Sequence, residues 1–226
     1  FAAAHRYPQG NAPELSERLA RFYNISSKQL IFSNGSDEMI QMVMLAWLSP
    51  GQEMLCCEPT FSEYRFAAEL AGGVVRTIPL KEGSYDVEGL IEAIDQKTKV
   101  IVICNPNNPT GGWVGRREIR LFLEQVPPEI LVVVDQAYAE FAAAAGVEDY
   151  PDLIEELHRP NLLLLRTFSK LYGLAGLRIG YAMGHPSLIQ TLYKVKQPFN
   201  LGSLSQVAAI AAIDDTAHQK KTLDVV

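Results

Sequence analysis

An α/β fold, three layers in the order α/β/α around a mostly parallel seven-stranded sheet, is what this sequence predicts. Three observations carry that expectation. Seven short apolar runs recur along the 226-residue chain, several of them apolar without interruption, as in strands buried on both faces. Helical patterns separate most of these runs, which places helices on both sides of a sheet. Breaker residues mark the joints: Ser49-Pro50-Gly51 closes one helix and Gly72-Gly73 closes the next.

Taken in order, strands are expected at Leu30–Ser33, Met54–Cys57, Val74–Pro79, Val100–Cys104, Ile130–Asp135, Leu162–Thr167 and Arg178–Met183. Helices are expected at Pro13–Tyr23, Ser36–Leu48, Ser62–Leu70, Val87–Ile94, Arg117–Gln125 and Leu153–Leu157. The stretch from Thr167 to Arg178 is too short for a crossover helix, so the last strand should run antiparallel to its predecessor. A helix over Pro186–Lys196 follows, then a break at Pro198 and a long helical pattern from Ser203 to the end. The alanine-rich patch Ala142–Ala145 reads as a loop. Residues 1–202 are expected to form one large domain and 203–226 the start of an interdomain helix. The chain opens at Phe1 in mid-pattern and closes at Val226 inside a helix, so a fragment is expected.

Composition narrows the function classes. The chain is 48% hydrophobic and 20% charged, ordinary for a soluble globular protein. A net charge of -6 without a long basic cluster argues against a nucleic-acid surface. No apolar run approaches the roughly 20 residues of a membrane span, and no signal-peptide pattern opens at Phe1. Cys56, Cys57 and Cys104 are odd in number and lie in apolar strands, which points to buried, reduced thiols in a cytoplasmic protein. The four histidines show no metal-ligand spacing.

The candidate functional residues fall just past the carboxyl ends of expected strands, where ligands bind in open α/β sheets. Lys170 lies in the run Thr167-Phe168-Ser169-Lys170-Leu171-Tyr172-Gly173, with Arg178 two turns on. An amine flanked by hydroxyls and followed by a guanidinium suits an aldehyde cofactor that carries a phosphate: the amine bonds to the aldehyde, the other groups hold the phosphate. A solvated lysine is the plain alternative for Lys170, and a surface ion pair for Arg178. Ser33 to Glu38 joins a strand to a helix with Gly35 in the turn, and the N–H groups at Ser36 and Asp37 suit a phosphate. Ser36 or Asp37 acting only as an N-cap is the competing reading. Phe61, in Glu58-Pro59-Thr60-Phe61, is either a stacking aromatic or a core residue. Asn105 to Gly111 is stiffened by two prolines and a glycine, which aims the amide of Asn108. Asp135 ends a strand of Ile, Leu and Val; a carboxylate there is costly unless paired, and a pyridinium nitrogen is a fitting partner. Tyr138, a turn later, suits the phenolic oxygen of such a ring. Asp135 as a helix cap is the alternative.

Together these strings, with Arg6-Tyr7-Pro8 and Ala175-Gly176-Leu177-Arg178, resemble the fold-type I pyridoxal-phosphate enzymes, specifically the class I/II aminotransferases, and most of all their histidinol-phosphate branch. The resemblance runs from about Arg6 to the last helix. It implies the large domain of an aspartate aminotransferase-like fold, with the C-terminal small domain largely absent. It implies pyridoxal 5'-phosphate as cofactor, glutamate as amino donor, a phosphorylated keto acceptor (imidazole acetol phosphate) and a homodimer. Carried onto this sequence, Lys170 bonds the cofactor and moves the proton, Asp135 pairs with the ring nitrogen, and Tyr138 and Asn108 reach the phenolic oxygen. Phe61 stacks on the ring. Gly35, Ser36, Asp37, Thr167, Ser169 and Arg178 form the phosphate site. Tyr7 reaches the cofactor phosphate of the neighbouring subunit. Relatives often carry glutamate where Gln136 stands; alternation turns that position away from Asp135, so little loss of chemistry is expected. Phe61 is often tyrosine in relatives. The family's arginine for the substrate carboxylate lies in the small domain. Threonine-phosphate decarboxylation, aromatic amino-acid transamination, a cofactor-binding fragment and a regulator module share the same motifs.

Overall fold

The computed structural model describes residues 5–226. The elements run α1 (Pro13–Tyr23), β1 (Leu30–Asn34), α2 (Gly35–Trp47), β2 (Glu53–Glu58), α3 (Glu63–Leu70), β3 (Val74–Pro79) and α4 (Val87–Ala93). They continue with β4 (Thr98–Cys104), α5 (Arg116–Gln125), β5 (Leu131–Asp135), α6 (Ala139–Ala144), β6 (Leu162–Thr167) and β7 (Ile179–Gly184). Helices α7 (Pro186–Tyr193), α8 (Ser203–Asp214) and α9 (Thr216–Val225) close the chain.

The seven strands form one sheet in the order β1-β7-β6-β5-β4-β2-β3. β7 is antiparallel to both its neighbours, as its short connection requires: residues 168–178 hold only a one-turn 3₁₀ helix, Ala175–Leu177. The other pairings are parallel. β5 and β6 are buried along their whole length and β4 nearly so, which is why they read as unbroken apolar runs. Each fully buried Leu, Ile or Val there contributes about 1.5–3 kcal/mol. β3 is one edge, with β1 at the other: its residues are half-exposed or exposed, and Arg76 on it is paired with Asp95 at 2.8 Å, a charge that discourages further strand addition.

Register decides what meets at the carboxyl edge. Cys104 of β4 lies beside Asp135 of β5, and Asp135 beside Leu165 of β6, so the loops leaving three central strands emerge at one level. β7 is reversed, so it brings its amino end to that same edge. β1 pairs with it, Asn34 opposite Ile179, which sets the start of α2 against the residues just before β7.

Three expectations need correction. The Ala142–Ala145 patch lies mostly in helix α6 rather than a loop, in keeping with alanine's high helix propensity. Leu153–Leu157 forms only a 3₁₀ turn, Ile154–Glu156; between Pro151 and Pro160 the segment is too short to repay helix nucleation. The pattern from Ser203 onward is two helices, because Asp215 leaves the helical conformation and its carboxylate caps α9 by accepting from the N–H of His218 at 3.0 Å.

Gly180 on β7 is where α2 seats: a Cβ there would stand 2.5 Å from the backbone nitrogen of Ser36. Gly180→Ala is therefore expected to destabilise the fold by about 1–3 kcal/mol. Urea denaturation reads this directly; an unchanged midpoint would show that α2 is not held against this strand.

Candidate active site

A cleft of about 200 Å³ opens at the carboxyl edge of the sheet. Its walls come from the start of α2 (Ser36, Asp37), the residues around α3 (Phe61, Tyr64), the loops after β4, β5 and β6, and the turn before β7 (Ala175, Arg178). A larger hollow of about 680 Å³ lies elsewhere and is lined by none of the expected residues. The chemistry, rather than the size, singles out the smaller one.

One end of the cleft offers groups that suit an anion. Helix α2 begins without a side-chain cap, which leaves its first-turn N–H groups open. Gly35 starts it at φ 76°, and a Cβ there would run into the guanidinium of Arg178, 2.9 Å from its Cζ. Glycine is required for both reasons. Arg178 itself adopts φ 50°, a left-handed conformation that costs a residue with a side chain about 1–2 kcal/mol. That strain aims its guanidinium at the helix start, where it donates to Asp37 at 2.8 Å and to the carbonyl of Ala175 at 3.1 Å. Ser169 lines the same cleft. Thr167 does too, but its hydroxyl is engaged in the turn: it donates to the carbonyl of Ile179 at 3.3 Å and accepts from the N–H of Ser169 at 3.1 Å. It shapes the segment that presents Ser169 and Lys170.

The other end holds a buried carboxylate. Asp135 is 3% exposed, and its partners are a phenol and a backbone N–H rather than a cation: Tyr64 donates to Oδ2 at 2.7 Å, and Ala137 N–H donates to Oδ1 at 3.0 Å. Burial pushes the Asp135 carboxyl above the usual carboxylate range, and the Tyr64 and Ala137 bonds pull the other way. Burial, then the neighbouring Asp135, hold Tyr64 well above its ordinary value, so it stays a protonated donor. The same two causes push the Cys104 thiol up to about 12, which removes it as a nucleophile. Burial likewise puts Cys56 and Cys57 at about 12, and all three cysteines are unpaired and buried, as expected.

Between the two ends, Lys170 Nζ lies 5.0 Å from the ring centre of Tyr138. Asn108 lines the cleft, while Asn105 is the buried amide of that loop, bonded both ways to the backbone of Val114. Phe61 packs edge-on against Tyr64, ring centres 5.6 Å apart, and is half-buried rather than part of the deep core. Tyr7 stands outside the cleft, 83% exposed and stacked on Phe199 at 4.8 Å. Sequence reasoning missed Tyr64. The available signal was a tyrosine in register with Ala67 and Ala68, the buried stripe of an otherwise charged helix; a buried phenol needs a partner. A carboxylate awaiting a cation, an amine, and an uncapped helix start beside a guanidinium fit a pyridinium ring bearing an aldehyde and a phosphate.

Residues 1–225 match the family described as Aminotransferase class I and II. The chain is 45% identical over 219 residues to a histidinol-phosphate aminotransferase of Geobacillus sp. (strain WCH70), covering 96% of this chain and 59% of that protein. The crystal structure of histidinol-phosphate aminotransferase from Sinorhizobium meliloti in complex with pyridoxal-5'-phosphate superposes with a TM-score of 0.93 at 28% identity, over 98% of this chain and 60% of that one. L-threonine-O-3-phosphate decarboxylase from Porphyromonas gingivalis has the same fold, with a TM-score of 0.80 at 25% identity, over 96% of this chain and 66% of that one. The chain thus spans about three fifths of the length of the curated relatives it matches.

The raised value of Asp135 has a consequence for folding without ligand. The folded state holds this proton more tightly than the unfolded chain, so the stabilising contribution is complete below the unfolded carboxylate value of about 4. It is lost as pH rises through the shifted value. Above that value the ionised carboxylate weighs against the fold. Asp135→Asn should therefore raise the stability of the ligand-free chain at pH 8 relative to pH 4 and flatten its pH dependence. A urea series at the two pH values checks this; a variant less stable than the parent at pH 8 would contradict it.

Proposed function

Because the chain belongs to the aminotransferase class I and II family, we propose that the protein it comes from is a pyridoxal-phosphate-dependent transaminase of histidine biosynthesis. The reaction is L-histidinol phosphate and 2-oxoglutarate interconverting with imidazole acetol phosphate and L-glutamate. The observation that carries this reading is a single cleft with the buried Asp135 carboxylate at one end, the Arg178 and α2 cradle at the other, and Lys170 between. A TM-score of 0.93 to a histidinol-phosphate aminotransferase, against 0.80 to the threonine-phosphate decarboxylase, together with 45% identity to a curated histidinol-phosphate aminotransferase, favours transamination over decarboxylation.

When bound, pyridoxal 5'-phosphate supplies the aldehyde and the electron-accepting ring. The chain's own groups do the rest. Arg178, Ser169 and the N–H groups of Ser36 and Asp37 hold the phosphate, with Gly35 making room for the guanidinium and Thr167 shaping the turn. Asp135 keeps a proton on the ring nitrogen; Tyr64, which donates to the far oxygen of the same carboxylate, holds it in place. Tyr138 and Asn108 bond the phenolic oxygen and Phe61 covers the ring face. Lys170 would hold the aldehyde carbon, and its free amine would move a proton at the substrate carbon.

The protein works as a cytoplasmic homodimer in this reading. Unpaired, buried cysteines suit a reducing compartment. The exposed Tyr7 ring, stacked on Phe199, suits a residue that reaches a neighbouring subunit's phosphate. Residues 203–226 lead towards a small domain that supplies the substrate's carboxylate partner.

The test is a visible absorption spectrum with pyridoxal 5'-phosphate, before and after glutamate. The parent should give a band that borohydride fixes onto Lys170 and that glutamate converts to the amine form. Lys170→Ala should lose the fixed adduct entirely while keeping affinity for inorganic phosphate. An adduct that persists in Lys170→Ala would assign the wrong lysine. Release of carbon dioxide from threonine phosphate would favour the decarboxylase instead.

A further inference from the structure

Gln136 does not line the cleft, yet it is fully buried and every polar atom of its amide is used. Its Oε1 accepts from Arg166 Nη2 at 3.0 Å. Its Nε2 donates to the carbonyl of Pro151 at 3.1 Å and to the hydroxyl of Tyr150 at 3.2 Å. The Tyr150 hydroxyl in turn donates to the carbonyl of Asn105 at 2.6 Å. Arg166, 7% exposed, also donates from Nη1 to Glu140 at 3.2 Å.

This relay joins the ends of three adjacent strands. Asn105 follows β4, Gln136 follows β5, and Arg166 is the penultimate residue of β6. The backbone ladder reaches the same level, with Asn105 N–H donating to the carbonyl of Asp135 at 2.8 Å and Gln136 N–H to that of Leu165 at 3.0 Å. The side chains thus extend the sheet's hydrogen bonding one step beyond its last rungs. Each joined residue sits next to groups that face the cleft: Asn105 before Asn108, Gln136 between Asp135 and Tyr138, Arg166 before the Thr167–Lys170 turn.

We propose that Gln136 is a positioning residue: through Arg166, Tyr150 and Asn105 it fixes Asn108, Asp135, Tyr138 and Lys170 relative to one another. The inference rests on the transaminase reading above and gives the amide at 136 a role that alternation alone did not suggest. An amide suits all three partners at once. The Pro151 carbonyl and the Tyr150 oxygen both need a donor, while Arg166 needs an acceptor, and a carboxylate supplies acceptors only. A buried network in which the Gln136 amide, the Tyr150 hydroxyl and both terminal nitrogens of Arg166 are bonded, with Arg166 Nε alone left without a partner, rigidifies what it connects, and misplacement by a fraction of an ångström loosens a binding constellation. The cradle at Gly35–Asp37 and Arg178 lies outside the relay, and of the phosphate site only Ser169 sits on the turn that follows Arg166, so a loss of positioning should fall mainly on the ring and far less on the phosphate site.

That asymmetry sets the experiment. Gln136→Met and Tyr150→Phe are titrated separately with pyridoxal 5'-phosphate and with inorganic phosphate, and the absorption maximum of the adduct is recorded. Gln136→Met should bind pyridoxal 5'-phosphate about tenfold more weakly, with a displaced absorption maximum and parent-like phosphate affinity. Tyr150→Phe should show a smaller change in the same direction, and it carries the test alone should Gln136→Met fail to fold. Parent-like cofactor affinity and spectrum in both variants, with only the melting temperature lowered, would overturn the proposal. So would a phosphate affinity that falls in step with the cofactor's, which marks general loosening. A parent that forms no borohydride-reducible adduct would instead sink the transaminase reading on which the proposal stands.

Discussion

A carboxylate buried at the end of a central strand is the constraint around which this molecule is arranged. Removing a charge from water costs several kcal/mol, and two hydrogen bonds from neutral donors offset only part of that. Asp135 carries this burden in full, at 3% exposure. The surroundings are consistent with a site made for a cation that arrives with the ligand. Tyr64 is held as a donor, Cys104 as a neutral thiol, and no lysine or arginine is bonded to the carboxylate among the described residues. In the proposed complex, a protonated ring nitrogen would convert the cost of the buried charge into binding free energy and keep the ring an electron acceptor.

Topology delivers the other half of the site. Parallel strands bring their carboxyl ends to one edge, and a reversed strand brings its amino end there instead. β7 is the reversed one, so Arg178, just ahead of it, faces the same cleft as Asp135 and Lys170. Pairing β1 with β7 then brings Asp37 to within 2.8 Å of Arg178 across 141 residues of sequence. Two glycines make that approach feasible: Gly35 leaves room for the guanidinium, and Gly180 leaves room for the helix start. An anion site of this kind depends on backbone placement more than on any one side chain.

Much of this was legible in the sequence for identifiable reasons. Leu162–Thr167 coincides with its strand because four consecutive leucines leave few alternatives, and Val74–Pro79 because β-branched residues follow the Gly72-Gly73 break. The residues at strand ends were legible because a charged or polar group directly after such a run demands an explanation. What could not be read locally was partnership. Tyr64 meets Asp135 across 71 residues, a contact that exists only once β2 and β4 are neighbours. Thr167 looked like a phosphate ligand from its position, but the antiparallel return of β7 brings the Ile179 carbonyl to its hydroxyl. Gln136 looked idle for the same reason: its partners lie on a distant loop and the adjacent strand. The helix over 139–144 was misread because a run of alanines carries propensity without periodicity.

The central claim is that Asp135 remains ionised in the complex by pairing with a protonated ring nitrogen. The direct measurement is the ¹⁵N chemical shift of that nitrogen in ring-labelled pyridoxal 5'-phosphate bound to the protein, followed from pH 6 to pH 9. A protonated-pyridinium shift across the range, replaced by a neutral-pyridine shift in Asp135→Asn, is the result the structure predicts. A neutral ring nitrogen in the parent would contradict it and leave the buried carboxylate without its proposed partner.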